Sequence, residues 1–542
     1  SILVPFSPEC QLSGVSRQLK PGEYLWYRRT ITLAKPQQDK RILLHFGAAD
    51  QTAEVFVNRI SAVRHCGGYL PFSADITDYL QEGDNELIVR IQDESNTSWH
   101  ARGKQSLKPG GMFYTAQSGL WQTVWMEIVP VNYIEQIFYH TDYDQGLVHL
   151  KVLTQHSAPV ECVISGKDME PVCINGMTNS ELIVSLPDFH PWTPEDPFLY
   201  LVSLKSGVDR VSSYFAMRKC DIQTAPDGTQ RFFLNNKPYF QAGVLDQGYW
   251  PESLYTAPTD EALTADISRM KKLGFNMLRK HAKIEPERFY YHCDQLGMLV
   301  WQDMVNGGSA YKHWFVTYLA TLMNWNHISF SDDEKHAGLL SRLHPEGKDE
   351  FRREITETIA FLYNHPSIVV WVPFNEGWGQ FDALAACEQI RTLDSSRLVD
   401  HASGWFDQKG GDILSLHYYF LKLKFKPESK RAAALTEFGG YSLSIPRHSC
   451  CKKVYGYKKF NSTGALTYGY IDLIRQTILP AVKKGIGATV YTQLSDIEEE
   501  TNGIYTYDRE ICKIDPDTLR KWNRALKEAG ECKTYADHPT DH

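Results

Sequence analysis

Two glutamates draw attention because each follows a short apolar run. Glu376 lies in "WVPFNEGWGQ" and Glu437 lies in "ALTEFGGY". If both runs are strands of one parallel barrel, both carboxylates lie at the rim where such a fold carries its chemistry. Two carboxyl groups on opposite faces of a substrate can hydrolyse a glycosidic bond, because one protonates the leaving oxygen and the other attacks the anomeric carbon. The alternative is that each glutamate caps a helix or pairs with an arginine.

Further polar and aromatic residues end predicted strands. They are Arg279, Asp303, His401, His417, Tyr418, Tyr419 and Tyr491. A single buried polar group is usually a hydrogen-bonded core residue, but many at one rim indicate a site. An arginine and a tyrosine near a nucleophilic carboxylate would keep it ionised, whereas an acid/base carboxyl needs a raised pKa. The sequence therefore predicts two carboxyl groups in different environments.

The chain after about residue 223 alternates short apolar runs with helical stretches, a pattern typical of βα units. In "TDEALTADISRMKKLG", Leu263, Ile267 and Met270 recur at helical spacing. Eight candidate strands precede or follow such stretches: "YFQAGV", "NMLR", "MLVWQ", "SIVVWVP", "RLVDH", "DILSLH", "ALTE" and "ATVYTQ". We therefore predict a catalytic (β/α)8 TIM barrel over residues 223–542. A doubly wound sheet competes with it, although no glycine-rich fingerprint follows the first strand.

The first 222 residues have a different pattern. Runs such as "RILLHF", "AEVFVN" and "ELIVRIQDE" alternate with period two and are separated by turn-rich segments. This pattern predicts a β jelly-roll over 1–130. Similar runs over about 90 further residues predict an immunoglobulin-like β-sandwich over 131–222.

The composition narrows the class of protein. The 542 residues have a formal charge of -8, and no long basic run marks a nucleic-acid binder. No stretch approaches the roughly 18 apolar residues that span a bilayer, so we expect no membrane association. The 11 cysteines include no CxxC pair, which favours free thiols in a reducing, cytoplasmic location. A signal peptide that had already been removed would leave the same sequence. The composition is also compatible with a homo-oligomer.

Other catalytic classes have little support. His401 and His417 end neighbouring predicted strands, but no HxH or HExxH spacing accompanies them. No GxSxG elbow or P-loop occurs, so acyl and phosphoryl transfer are not indicated. We therefore expect no metal and no cofactor.

Four motifs resemble glycoside hydrolase family 2, which contains β-galactosidases, β-glucuronidases and β-mannosidases. They are "NHPSIVVWVPFNEGWGQ", "LTEFGGY", "HCGGYLPFSADITDYL" and "SGLWQTVWMEI". The resemblance extends over essentially the whole chain. It implies a jelly-roll sugar-binding-like domain, an immunoglobulin-like domain and a catalytic barrel. Members usually have further strands before the stretch matching "SILVPFSPE", so the jelly roll is expected to be shortened or the sequence truncated.

The resemblance also implies roles for individual residues. Glu376 would be the general acid/base, with Asn375 on the sugar 2-hydroxyl, and Glu437 would be the nucleophile. Arg279 would support the nucleophile and Tyr419 would contact it, or Tyr418 if the match shifts by one. His417, which ends a predicted strand, is a further candidate for substrate binding, and Trp378 would form a wall of the sugar subsite. Tyr491 occupies the place where many members have a tryptophan under the sugar.

The predicted activity is that of an exo-acting retaining β-glycosidase on a carbohydrate substrate, with a β-galactoside favoured by family frequency. Family β-glucuronidases have an Asn-x-Lys motif where this chain has "EEETNGIYTYD", so three acids would repel a uronate. Asp246 and Gln247 replace a His-Glu pair and are candidates for sugar hydroxyl contacts, or they only fix the loop. "WQD" at 301–303 is similar to β-mannosidases. A carbohydrate-binding protein without turnover and a transglycosylase are the remaining alternatives.

Overall fold

The computed structural model describes residues 1–34, 39–325, 328, 330–419 and 423–531. Strands and helices are numbered in chain order. In the described part of the chain, no helix is both long and apolar enough to cross a membrane.

The N-terminal region is an antiparallel sandwich. Its strands are β1 (Leu25–Leu33), β2 (Lys40–Phe46), β3 (Ala49–Asp50), β4 (Thr52–Val57), β5 (Ile60–Cys66), β6 (Phe72–Asp75), β7 (Gly83–Gln92), β8 (Gln105–Ser106), β9 (Tyr114–Thr115), β10 (Gly119–Leu120) and β11 (Val124–Pro130). A sheet in the order β1-β7-β4-β5 packs on a sheet in the order β11-β2-β6. In β7, Leu87, Val89 and Ile91 are buried and alternate with more exposed residues, as the period-two pattern predicts.

A second sandwich follows. Its strands are β12 (Ile134–Asp142), β13 (Leu147–Thr154), β14 (Pro159–Ser165), β15 (Val172–Met177), β16 (Glu181–Ser185), β17 (Tyr200–Ser206) and β18 (Asp209–Phe215). The sheets β12-β13-β16 and β15-β14-β17-β18 enclose their own core, in which Leu150 and Cys162 are completely buried. This arrangement is the expected immunoglobulin-like sandwich.

The remaining strands build a three-stranded sheet, the barrel and a two-stranded sheet of Tyr441–Ser442 with Lys458–Lys459. They are β19 (Cys220–Thr224), β20 (Gln230–Leu234), β21 (Lys237–Pro238), β22 (Gln241–Asp246), β23 (Met277–Lys280), β24 (Leu299–Asp303), β25 (Ile368–Val372), β26 (Leu398–Val399), β27 (Ile413–Tyr418), β28 (Ala432–Gly439), β29 (Tyr441–Ser442), β30 (Lys458–Lys459) and β31 (Ile486–Thr492). The sheet β19-β20-β21 places Phe232 against the barrel interior beside Trp301. It thereby covers the end of the barrel where Ile413 and Ala432 begin their strands.

The eight parallel strands have the order β26-β25-β24-β23-β22-β31-β28-β27. This order confirms the predicted barrel, and the doubly wound alternative is wrong. The helices are α1 (Asp260–Lys272), α2 (Glu287–Leu296), α3 (Ala320–Trp325), α4 (Pro345–Leu362), α5 (Ala383–Leu393), α6 (Thr463–Leu473), α7 (Leu479–Lys483) and α8 (Pro516–Gly530), with short 3-10 and π-helical segments between some of them.

Helix α1 illustrates how the sequence specifies these elements. The Thr259 side chain caps it by accepting from the Ala262 N–H. Its predicted apolar residues Leu263, Ile267 and Met270 are buried against the barrel. Each barrel strand therefore has one face towards the interior and one towards such helices, which decides what its last residues can contact.

Candidate active site

Glu376 lies in the loop after β25. Its φ is 50°, in the left-handed region, and its backbone N–H donates to the Ser403 carbonyl oxygen at 2.9 Å. Gly377 has a φ of 74°, and a Cβ there would lie 2.2 Å from the Phe406 ring, so only glycine fits. The hydrogen bond and the close packing fix the loop. They leave the Glu376 side chain 12% exposed at the barrel mouth.

Glu437 lies on β28 and is buried in the barrel interior. Arg279 Nη1 donates to Glu437 Oε1 at 3.2 Å, and the Tyr419 hydroxyl donates a short hydrogen bond to Oε2. Burial alone would raise the pKa of the Glu437 carboxyl. The positive charges of His417 and Arg279 outweigh that effect and lower the pKa to about 2. Glu437 is therefore an ionised carboxylate at neutral pH.

Arg279 connects three strand ends. Its Nε and Nη2 donate to the two carboxylate oxygens of Asp303 at 3.0 and 3.1 Å, and Nη2 also donates to Asn375 Oδ1 at 2.8 Å. Burial would lower the pKa of the guanidinium, but the carboxylates of Asp303 and Glu437 raise it above its usual value. Asn375 is oriented by this contact, and its buried Nδ2 has no hydrogen-bond partner among the described residues.

His417 lies between the two glutamates. Its Nδ1 is 2.8 Å from Glu376 Oε1 and 3.7 Å from Glu437 Oε2, and its Nε2 is 3.1 Å from Ser403 Oγ. One oxygen of each carboxylate and the imidazole nitrogen lie within 4.8 Å of one another. These three side chains are also a set that could hold a metal ion. The two carboxylates are therefore close neighbours. The carboxyl groups of retaining glycosidases lie about 5 to 5.5 Å apart and those of inverting ones about 6.5 to 9.5 Å, so this proximity favours the retaining arrangement.

Tyr419 is the tyrosine that reaches Glu437. Its hydroxyl also lies 3.0 Å from Thr492 Oγ1, at the end of β31. Tyr418 and Tyr419 both line the cavity, but only Tyr419 hydrogen-bonds the carboxylate among the contacts of the described residues. The one-residue ambiguity of the sequence match thus resolves in favour of Tyr419.

A cavity of about 1000 Å³ opens beside Glu376, His417 and Tyr419. Part of its wall comes from the barrel loop after β24, which contributes Tyr311. Another part comes from the N-terminal sandwich, which contributes Phe113. The volume lies at the upper end of ordinary small-ligand pockets, so it accommodates more than one sugar ring.

Trp378 lies behind this wall. The residue is 1% exposed and stacks on Tyr311, with ring centroids 6.1 Å apart, while Phe113 lies 5.6 Å away on a tilted plane. Its indole Nε1 is buried without a hydrogen-bond partner in the described chain. Both the edge and the face of the ring therefore contact neighbouring side chains, and its N–H is buried without a hydrogen-bond partner.

Three predicted site residues lie elsewhere. Asp246 shares the outward face of β22 with Val244, and its carboxylate accepts from Lys280 Nζ at 2.6 Å. Tyr491 also points outward, where its ring packs between Phe438 and Tyr470. It does not lie under the cavity as expected. The remaining residue, Gln247, donates to the Tyr114 hydroxyl at 2.7 Å and to Gln493 Oε1 at 2.6 Å, so it joins two loops.

The three acids at 498–500 contact the N-terminal sandwich. Their partners are the N–H groups of Thr115 and Gly111 at 3.0 and 2.9 Å and the Tyr114 hydroxyl. Glu499 also pairs with Lys453 at 3.0 Å. This stretch therefore fastens the sandwich to the barrel, which removes the basis for expecting it to repel a uronate.

Sequence reasoning missed two residues of this site. The first, His281, has Nδ1 2.7 Å from Asp303 Oδ2; burial, with the charge of Lys104, lowers the pKa of His281 to about 4. Its Nε2 has no partner among the described residues. The spacing of two from Arg279 on one strand could have indicated it. The second, Lys104, comes from the N-terminal sandwich, and no local signal in the sequence marks it.

Comparisons with known proteins agree with this fold. The model of the glycosyl hydrolases family 2 TIM barrel domain matches residues 228–479, and that of the family 2 sugar binding domain matches residues 17–125. The chain is 25% identical to a β-galactosidase of Thermoanaerobacter pseudethanolicus over 77% of this chain and 54% of that protein. It is 24% identical to a β-glucuronidase of Homo sapiens over 73% of this chain and 63% of that protein.

The chain thus spans less than two thirds of the length of these relatives. Among solved structures, a β-glucuronidase of Ruminococcus gnavus has a TM-score of 0.75 at 17% identity, covering 97% of this chain and 92% of that one. That likeness concerns the fold. The two family models, the barrel and the jelly roll together identify the chain as a member of glycosyl hydrolase family 2.

Proposed function

We propose that the protein is an exo-acting retaining β-glycosidase, which removes terminal non-reducing β-linked sugars by double displacement. The observation that carries this proposal is the pair of carboxylates, with oxygens within 4.8 Å, of which Glu437 is paired with Arg279 and Glu376 is not. Family membership supports the same reaction.

In the first step, a Glu437 oxygen bonds to the anomeric carbon while the bond from that carbon to the leaving oxygen breaks. Glu376 gives its proton to the leaving oxygen. In the second step, water attacks the glycosyl ester, Glu376 takes the proton of the water, and Glu437 leaves as a carboxylate. Arg279 and Tyr419 stabilise the returning charge, because both donate hydrogen bonds to Glu437.

His417 orients the Glu376 carboxyl group. The Ser403 hydroxyl donates to Thr436 Oγ1 at 3.0 Å, so its oxygen is free to accept from His417 Nε2–H. The other ring nitrogen, Nδ1, lies 2.8 Å from Glu376 Oε1 and shares a hydrogen bond with that carboxyl group. The Nε2–H is assigned from this hydrogen-bond pattern.

Asn375 contacts the sugar 2-hydroxyl in this proposal. Its Oδ1 is held by Arg279, so the unpartnered Nδ2 has a fixed direction and donates to the substrate. A hydrogen bond to this hydroxyl strengthens in the transition state of retaining enzymes, so Asn375 contributes to rate as well as to binding.

The first candidate for the terminal sugar is the β-galactoside that the sequence favours. The Thermoanaerobacter relative named β-galactosidase supports this candidate. A β-glucuronide is the second candidate, because other relatives bear that name and because the acids at 498–500 are engaged with the N-terminal sandwich. A panel of nitrophenyl β-galactoside, β-glucoside, β-mannoside, β-xyloside and β-glucuronide distinguishes them.

The variant Glu437→Gly tests the reaction itself. We expect it to lose turnover and to be partly rescued by azide, with a glycosyl azide of inverted configuration as product, because azide fills the space of the missing carboxylate. Product configuration is read by NMR. Full activity in this variant would refute the assignment, and sugar binding without hydrolysis by the wild-type protein would favour a carbohydrate-binding protein instead.

A further inference from the structure

Lys104 is a buried cation without a counterion. The residue is 7% exposed, and its Nζ makes no hydrogen bond or ion pair with the described residues. Its contacts are with ring faces: Nζ lies 5.4 Å from the centre of the Trp378 ring and 6.0 Å from that of Tyr114. A buried ammonium in this state is costly unless a bound ligand completes its coordination.

The backbone around Lys104 is built to hold it there. The N–H groups of Arg102 and Gly103 both donate to the Asn306 carbonyl oxygen at 3.0 Å, in the loop after β24. Gly103 has a φ of 59°, and a Cβ there would lie 2.6 Å from the Ala282 carbonyl oxygen. The N-terminal sandwich therefore meets the barrel at a close backbone contact, directly before the lysine.

Lys104 also acts on the proposed reacting groups. Its positive charge contributes to the low pKa of Glu437, to which His417 and Arg279 contribute more, and to the low pKa of His281, after burial. Glu437 is nevertheless not its partner, since the carboxylate is beyond 4 Å from Nζ and already receives Arg279 and Tyr419. When Glu437 becomes a glycosyl ester it loses its charge, so the proposed reaction does not give Lys104 a counterion from Glu437.

Other unpartnered groups surround the same place. The Trp378 indole Nε1 and the Asn375 Nδ2 are donors, while His281 Nε2 is an acceptor if Nδ1 donates to Asp303. The His281 and Trp378 rings are 6.5 Å apart, and the backbone N–H of Trp378 donates to the Asn375 carbonyl oxygen at 3.0 Å. Two neutral donors and one acceptor suit hydroxyl groups, but an ammonium beside them suits an anionic oxygen.

We propose that Lys104, supplied by the N-terminal sandwich, is a specificity-determining residue that pairs with an anionic group on the terminal sugar. This inference rests on the proposed glycosidase function and names its substrate class, a β-glycoside of an acidic sugar. The anionic group is a carboxylate at C5, as in a hexuronide, or a sulfate ester on the ring.

The test compares pairs of nitrophenyl β-glycosides that differ only in the anionic group: glucuronide with glucoside, galacturonide with galactoside, and 6-sulfated galactoside with galactoside. We expect the wild-type enzyme to prefer the acidic member of at least one pair by tenfold or more in kcat/KM, and the preferred pair identifies carboxylate or sulfate. Lys104→Met should lower kcat/KM for that acidic substrate by about 10- to 150-fold, the range for a hydrogen bond to a charged group. The neutral partner should lose less, because it has no charge for Lys104 to pair with, so the acidic-to-neutral ratio of kcat/KM should fall. Lys104→Arg should restore most of the preference.

Two controls make the outcome decisive. Lys20→Met removes an exposed lysine of the N-terminal region and should leave every ratio unchanged. Calorimetric binding of free glucuronate and galacturonate, with glucose and galactose for comparison, tests Lys104 without turnover. Equal losses on acidic and neutral substrates in Lys104→Met, or a wild-type preference for the neutral member of every pair, overturn the inference and leave the glycosidase proposal standing. If no glycoside is cleaved, the glycosidase proposal fails, and acid-selective binding lost in Lys104→Met still supports the role of Lys104.

Discussion

Two buried ion networks lie one residue apart on β23. Arg279 points into the barrel and pairs with Asp303 and Glu437, while Lys280 points outward and pairs with Asp246 and Glu285 at 2.6 and 2.9 Å. The side chains of Arg279 and Lys280 are both almost completely inaccessible to solvent. Burial of charge alone therefore does not distinguish a functional site from a structural element.

The difference lies in what each network leaves available. In the outward network, Lys283 Nζ donates to Glu285 and to the carbonyl oxygens of Gly248 and Tyr255, so its donors are occupied by protein. The inward network ends in groups without partners among the described residues, Asn375 Nδ2 and His281 Nε2, and Asn375 directly precedes Glu376, which lines the cavity. A network with unused hydrogen-bonding groups beside a cavity is arranged for a ligand, whereas a network occupied by protein groups is arranged for stability.

The largest contrast should come from the same substitution at the proposed site and in the outward network, Glu376→Gln and Glu285→Gln. We expect Glu376→Gln to lower kcat/KM by about 10² to 10⁴-fold for a substrate with a poor leaving group, because no proton reaches the leaving oxygen. The loss should be smaller with a dinitrophenyl leaving group, which departs without protonation. Kinetics with both leaving groups measure the effect.

Glu285→Gln is the matched control. It removes the charge that Lys280 and Lys283 share, which should lower the free energy of unfolding by about 3 to 5 kcal/mol while kcat of the folded enzyme is kept. Chemical unfolding measures this. If Glu285→Gln reduces kcat as strongly as Glu376→Gln in fully folded protein, the two networks are not functionally distinct.

A second contrast is Asp303→Asn against Asp246→Asn. Asp303 orients the Arg279 fork and His281, so its loss should misplace both and lower kcat/KM on the order of 10²-fold. Asp246→Asn leaves Lys280 its bond to Glu285, so it should cost about 1 to 3 kcal/mol of stability and little rate. Steady-state kinetics and unfolding on the same preparations decide it, and a normal rate in Asp303→Asn would contradict the orienting role.

The same two faces explain what the sequence could and could not predict. The barrel, its eight strands and the strand ends at Glu376 and Glu437 follow from apolar runs, which report burial reliably. A fully buried strand, however, has apolar residues on both faces, so periodicity does not tell which of its last residues points inward. Asp246 and Tyr491 were misplaced for this reason, since a shift of one residue exchanges the faces.

Lys104 could not be predicted for a different reason. It is more than 300 residues from Glu437 in the chain, and its position depends on how the N-terminal sandwich docks on the barrel. Docking contacts such as those of residues 498–500 with Gly111 and Thr115 combine backbone and side-chain groups from distant segments. No local pattern encodes such a pairing, so only the assembled fold reveals it.

The smallest expected effect is on the pH dependence of stability, in which the carboxyl groups of Glu437 and Asp400 should behave in opposite ways. Glu437 has a pKa lowered to about 2, because the surrounding positive charges outweigh the effect of burial. Its contribution to stability is therefore complete above the ordinary glutamate pKa of about 4.5 and is lost as the pH falls towards 2. The excess stability of the wild-type protein over Glu437→Gln should decrease between pH 5 and pH 3.5.

Asp400 provides the opposite sign. Burial, only partly offset by Arg279, raises the pKa of Asp400 to about 6. A raised carboxyl pKa means that the folded protein binds the proton more tightly, so the contribution of Asp400 increases as the pH falls from 6 to 4. Urea unfolding of the wild-type protein, Glu437→Gln and Asp400→Asn at pH 7, 6, 5, 4 and 3.5 measures both differences. Because the two carboxyl groups differ in their share of the Arg279 charge, parallel rather than opposite trends would show that this arginine does not hold Glu437 ionised.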